Sequence, residues 1–155
     1  RPMLRSRLSE ALKEAMKAKD ARRVSTLRLI LAAIKDRDIQ ARTDGVTDGV
    51  PDDDILAVLQ KMIKQRRESI EHYEAGGRLE LAEQEQEEIA IIQEYLPKQL
   101  TEAETEAAAR EAIEAVGAGG IKDMGGVMAH LKERHSGEMD FGKAGPVVKR
   151  LLTGG

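Results

Sequence analysis

Apolar residues return every three or four positions along most of this chain, and that period commits it to helices. Leu4, Leu8, Ala11 and Ala15 form one stripe; Val24, Leu27, Leu31 and Ile34 form a second, widened by Ile30. A third runs through Ile55, Leu59, Met62, Ile63, Ile70 and Tyr73, and a fourth through Leu81, Ala82, Ile89, Ile92 and Leu96. Side chains at these spacings share one face of a 3.6-residue helix and need a neighbour to cover them. Asp20-Ala21 marks a short turn, so the first two helices are predicted to be antiparallel. Thr43 to Pro51 carries a duplicated Thr-Asp-Gly-Val, and its Asp-Gly pairs make it a loop, expected to be mobile. Asp52 and its neighbours put negative charge where a helix dipole favours it. Gly76-Gly77 breaks the chain, and Pro97 both ends the fourth helix and pushes Leu96 out of helical geometry. Residues 1–97 therefore read as a helical N-terminal domain of four amphipathic helices, a bundle.

Residues 98–155 read as a small helical domain of three shorter helices. Thr101 and Glu104 fit a capping box, which starts a fifth helix at Glu102; Gly117-Ala118-Gly119-Gly120 ends it. Asp123 is predicted to cap a sixth helix with the stripe Met124, Val127, Met128 and Leu131. Asp140 is predicted to cap a seventh, with Ala144, Val148 and Leu151 inward. Pro146 either bends that helix or begins its regular part. The fold class is all-α.

Composition removes several chemistries. The chain has no cysteine, so thiolate catalysis, disulfides and cysteine-ligated zinc are excluded. Its longest apolar run, Leu29 to Ile34, is too short to cross a bilayer. The segment Arg1 to Arg5 lacks the apolar core of a signal peptide, Met3 being read as the natural start and Arg1 and Pro2 as additions. The expected location is the cytoplasm, with no membrane partner. Residues 1–42 hold twelve Lys or Arg against five acids, and residues 68–94 hold nine Glu against one Arg. Such stretches face each other inside a bundle, are simply solvated faces, or leave a basic surface that meets phosphate.

No catalytic constellation emerges. His72, His130 and His135 lack a Glu-x-x-His pattern, and His130 and His135 point in different directions on a helix. The serines have no activating neighbour, and no phosphate-cradling glycine loop is present. No metal or other cofactor is expected. Gly125 and Gly126 sit inside a helix, where each glycine costs about 1 kcal/mol relative to alanine. They are explained either by close packing on the fifth or seventh helix or by close approach of a ligand backbone such as a nucleic acid. Residues 119–155 hold six Lys or Arg against four acids, a mildly positive balance. With only Phe141, Tyr73 and Tyr95 as aromatics, a base-stacking platform is ruled out, so any RNA contact would be to shape and phosphate.

Several motifs, in order, resemble the GatB/YqeY family, in particular its free-standing YqeY-like members, over nearly the whole chain. They are Met16-Lys17, Ser25-Thr26-Leu27-Arg28, Ala32-Ala33-Ile34-Lys35, Arg67-Glu68-Ser69-Ile70, Tyr73 and Gly77-Arg78. Leu81-Ala82, Glu88-Ile89, Tyr95-Leu96-Pro97-Lys98-Gln99-Leu100, Lys122-Asp123-Met124-Gly125 and Val148-Lys149 continue the series. The resemblance implies a helical N-terminal domain followed by a three-helix domain similar to the tail of the B subunit of glutamine-dependent tRNA amidotransferase. In that enzyme the tail helps hold tRNA while the chemistry lies elsewhere. Carried over, the candidate RNA-contacting residues are Lys122, Gly125, Lys132, Lys149 and Arg150. Gly126 joins them through its backbone, although the family often has lysine there. The family label of carbon–nitrogen ligase activity with glutamine as amido-N-donor reads as inherited from the larger enzyme. The functional expectation is a non-catalytic accessory protein binding tRNA or a tRNA-handling complex; the alternative is a helical adapter that binds protein and no RNA.

Overall fold

The computed structural model describes residues 3–154; Arg1 and Pro2, read above as additions, lie outside the described residues. Those residues fold into seven α-helices and one short 3-10 turn, with no strand among them, so the chain is all-α as its periodicity implies. The helices fall into two units, one running to Leu96 and one beginning at Pro97.

The first unit holds α1 (Leu4–Ala18), α2 (Ala21–Arg42), α3 (Asp52–Ala75) and α4 (Leu79–Gln93). Its core joins Leu8, Leu27, Ile30, Ile55, Leu59, Ile89 and Ile92, all nearly or fully closed to solvent. The α1–α2 turn is set locally: Lys19 takes a left-handed conformation and the Asp20 carboxylate accepts the Arg23 N–H at 3.1 Å, capping α2. Helix α4 stops at Gln93, before Pro97, and Leu96 packs on the core from outside the helix.

The loop after α2 is more firmly placed than its glycines predict. Val50 is buried, its N–H donates to Asp38 Oδ1 at 2.9 Å, and its carbonyl accepts from Arg5 Nη2 at 3.0 Å. Gly49 adopts φ +89° against the Arg5 guanidinium, and a side chain there would collide with it.

The acidic stretch and the basic stretch do meet in part. Arg23 holds Glu94 through two bonds of 3.0 and 2.8 Å, and Arg22 lies 3.8 and 3.9 Å from Glu87 and Glu88. Glu88 is buried and accepts from Arg66 Nε at 2.9 Å, which ties α4 to α3. Burial of such a pair is tolerated because each charge has a partner.

The second unit holds α5 (Glu102–Val116), a 3-10 turn (Ile121–Asp123), α6 (Met124–Arg134) and α7 (Phe141–Leu152). Ala108, Ala109 and Ala112 present a small-residue face of α5 to Val127, Leu131, Ala144 and Val148. Small side chains at the contact let helix axes approach closely. The capping box forms as predicted: Thr101 Oγ1 accepts from Glu104 N, and Glu104 Oε1 accepts from Thr101 N. Asp140 caps α7 through Gly142 N, and α7 runs continuously through Pro146 rather than beginning there. Asp123 departs from its predicted role. Its carboxylate makes no cap bond to α6 and instead accepts from Gly119 N at 2.8 Å, bracing the turn before the helix.

Candidate nucleic-acid interface

The sequence-predicted residues lie on α6, α7 and the turn that enters α6. That turn is shaped by Gly119-Gly120 and by the Asp123 carboxylate, which reaches back to Gly119. It leaves Lys122 exposed and directs the chain into the first turn of α6, where Gly125 and Gly126 are both exposed. Gly125 has open space where a side chain would sit, and a side chain at Gly126 would only touch Val116 of α5 at 3.5 Å. Close helix packing therefore explains neither glycine.

Helical register distributes the remaining residues. Gly125 and Lys132 are seven positions apart and share one flank of α6. Gly126 is on the flank turned to α5, the side on which Arg134 lies 3.8 Å from Glu111 of that helix. On α7, Gly145 lies against Met124 of α6, and Lys149 follows one turn later on the same face. Arg150 is turned the other way, to α5, where it pairs with Glu106. Register thus puts Gly125 and Lys132 on the outward flank of α6, Lys149 on the face of α7 that carries Gly145, and Lys122 in the turn that enters α6, while Gly126 and Arg150 lie on the side of α5.

Electrostatics separate the cations in the same way. Lys122, Lys132 and Lys149 are exposed and none reaches a carboxylate among the described residues. Arg150 is engaged, and its hydrogen bond, with its charge and that of Arg110, lowers the Glu106 pKa from the ordinary carboxylate value. His135 stands just past α6, its Nδ1 2.9 Å from Glu138 Oε1. Glu138 and Gly137 also hold the segment leading into α5: Leu100 N donates to the Glu138 carbonyl at 2.8 Å and Gln99 Nε2 to the Gly137 carbonyl at 2.7 Å. Among the described residues no three His, Asp or Glu side chains gather as a metal site. The Glu106–Arg150 pair escaped sequence reasoning, because its members lie 44 positions apart with no motif between them.

A helical unit of four elements followed by a three-helix unit that carries exposed lysines without a carboxylate partner among the described residues defines a class of small all-helical proteins. Residues 5–152 match the family described as Yqey-like protein, and the chain belongs to that family. It is similar to the protein named altered inheritance of mitochondria protein 41, mitochondrial, of Eremothecium gossypii, at 39% identity over 103 residues, 66% of this chain and 54% of that one. The protein of the same name from Candida glabrata is 37% identical over 89 residues, 57% of this chain and 47% of that one. An uncharacterized protein of Schizosaccharomyces pombe is 33% identical over 97 residues, 63% of this chain and 75% of that one. The chain spans about half the length of the first two relatives. No helix among the described residues is long and apolar enough to cross a membrane.

Proposed function

We propose that this protein is a non-catalytic accessory factor that binds tRNA, or a tRNA-handling complex such as a glutamine-dependent amidotransferase, through its domain at 98–155. The single observation that carries this reading is Gly125: a helical glycine, exposed, with nothing packed where its side chain would be. A bare helix turn flanked by free lysines suits a sugar-phosphate backbone, which needs close approach and positive charge and no base stacking. Lys122, Lys132 and Lys149 supply phosphate contacts, Gly125 and Gly126 supply access, and Arg150 contributes by exchanging Glu106 for phosphate. Its proposed location is the cytoplasm, although the Eremothecium relative bears the word mitochondrial in its name.

Fluorescence anisotropy of labelled tRNA titrated with the full chain, at low and physiological salt, tests this reading. Salt-sensitive binding that Lys122→Glu with Lys132→Glu weakens, with a shallower salt slope, is the expected result. Equal retention of tRNA by that double variant would remove the site, and no binding even at low salt would remove the function.

A second reading, a protein-binding adapter, draws on the half-buried Met124 and Met128, and on Val116 and Ile121, which are 40% and 49% exposed. Capture of a protein partner that survives nuclease and moderate salt would favour it over RNA binding.

A further inference from the structure

We propose that the outward face of α2 docks a second copy of this chain, helix against helix and antiparallel. One side of α2 is spent on the core: Thr26, Leu27, Ile30, Ile34 and Ala41 are buried. The opposite side carries Leu29, Ala32, Asp36 and Ile39, all exposed, with Leu29 at 48% and Ile39 at 46%. Their spacings of three, four and three residues are those of a helix–helix seam, and about half of each large side chain on it is left open. Two large aliphatic side chains half open to water on one stripe are a cost that a partner helix would relieve.

The pattern identifies the partner as a copy of the same surface. A two-fold axis requires that a patch complement itself. Placed antiparallel about the point midway between Ala32 and Asp36, the stripe sets Leu29 opposite Ile39 of the second copy, and Ala32 opposite Asp36. Small Ala32 allows the axes to approach. Arg28 and Lys35 border the stripe on one side, and both fall one turn or less from the second copy's Asp36. In the single chain none of Arg28, Lys35 and Asp36 has an ion-pair partner among the described residues, whereas their neighbours Arg22, Arg23, Arg37 and Asp38 all do. Unspent charge of both signs around an apolar stripe is self-complementary; a surface for an acidic or basic partner would carry one sign. Asp36 at a seam position would further fix the register, since an alignment that set it opposite Leu29 or Ile39 would bury it against a large aliphatic side chain and one that set it opposite itself would oppose like charges. A single helix pair is small for an interface, so the association is reversible and depends on concentration.

Sedimentation velocity of the full chain over a concentration series is the test. A shift from monomer to dimer with rising concentration is expected, and Leu29→Lys with Ile39→Lys should abolish it while leaving the helical circular dichroism unchanged, because both side chains already face water. Since the chain has no cysteine, Leu29→Cys and Ile39→Cys variants can be mixed in equal amounts and oxidised. The mixed disulfide should exceed either self-linked product severalfold. Monomer at every concentration overturns the proposal, and Leu29→Cys linking chiefly to itself overturns the antiparallel register. The lysine variant leaves every residue of the proposed RNA face intact, so its tRNA binding reports on that reading separately.

Discussion

The Arg5 guanidinium grips the Asp38 carboxylate with both nitrogens, Nη1 to Oδ2 at 2.9 Å and Nη2 to Oδ1 at 2.6 Å. The same two side chains also hold Val50, one by its carbonyl and the other by its N–H. Three points far apart in sequence, on α1, α2 and the loop before α3, are joined in this way. The hydrogen bond from Arg5, and then that from Val50, holds the Asp38 carboxyl down to about 2, against an ordinary 3.8, although partial burial works against them.

Acid should therefore loosen the first unit through Asp38. A carboxylate with a depressed folded pKa contributes stability that is whole above its unfolded value, near 3.8, and is lost as pH falls through about 2. Taken in full, that shift corresponds to roughly 2 kcal/mol. Solvent screening of a pair at the surface reduces the expected loss to about 1 kcal/mol. Glu85 acts in the opposite sense: burial, and then the charge of Glu88, raise its pKa, so protonation relieves it as pH falls. Asp38→Asn should remove the Asp38 component, and chemical denaturation between pH 5 and 2 measures the difference; equal acid sensitivity of the variant would contradict it.

Gly49→Ala should be more costly than a loop substitution normally is. Its φ of +89° disfavours any side chain, and the new methyl would sit 2.8 Å from Arg5 Nη2. Arg5 cannot swing aside without releasing Asp38 and Val50. A loss of about 1–2 kcal/mol is expected in urea unfolding, and combining it with Arg5→Ala should cost less than the sum.

Gly125→Ala separates folding from binding. With helical backbone and open space around it, the methyl should stabilise α6 by about 0.5–1 kcal/mol. If RNA lies against that turn, the same methyl should weaken tRNA binding. A higher melting temperature with lower affinity is the expected pair of results, and undiminished affinity would remove Gly125 from the interface. Glu106→Gln is its counterpart for charge: by releasing Arg150 it should tighten binding at low salt and steepen the salt slope.

Elements written in local sequence were legible before the structure, and ties across the chain were not. Thr101 and Glu104 are three residues apart and satisfy each other's backbone, so their spacing alone announces α5. Asp20 and Asp140 likewise need only the next few residues. Asp123 has the same composition around it, yet its backbone, at φ −93° and ψ 2°, follows a 3-10 turn, and its carboxylate faces back to Gly119. That choice depends on Ile121 and Lys122 before it already turning as a 3-10 helix, which apolar spacing does not encode. The loop from Thr43 read as mobile because its glycines are visible in sequence, while Arg5, which fastens it, lies 45 positions from Val50. On the candidate interface the lysines and glycines were all named from sequence. What the fold adds is the pairing of Arg150 on the side of α5, through a partner that no motif marks.

Glu88 offers the sharpest test of the first unit's interior. It accepts from Arg66 at 2.9 Å and from Gln84 Nε2 at 3.2 Å, with Arg22 at 3.9 Å, and its side chain is only 8% exposed. Arg66 is 13% exposed and also donates to the Met62 carbonyl. Glu88→Gln keeps the volume and leaves Arg66 a neutral acceptor, whereas Glu88→Ala strands the guanidinium in a nearly closed site. Breaking a buried pair from one side costs about 3–5 kcal/mol, and the partial exposure of Arg66 and the nearby Glu85, 3.8 Å away, place the expected value for Glu88→Ala at the lower end. Glu88→Gln should cost roughly half as much, since a hydrogen bond to a charged group is worth about 1.5–3 kcal/mol. Replacing both partners, Arg66→Met with Glu88→Leu, should recover most of the loss, because no charge is then left without a partner. Urea unfolding of the three variants decides it: a double replacement as unstable as Glu88→Ala would show that the ion pair itself, and not the stranded arginine, sets the stability of the α3–α4 contact.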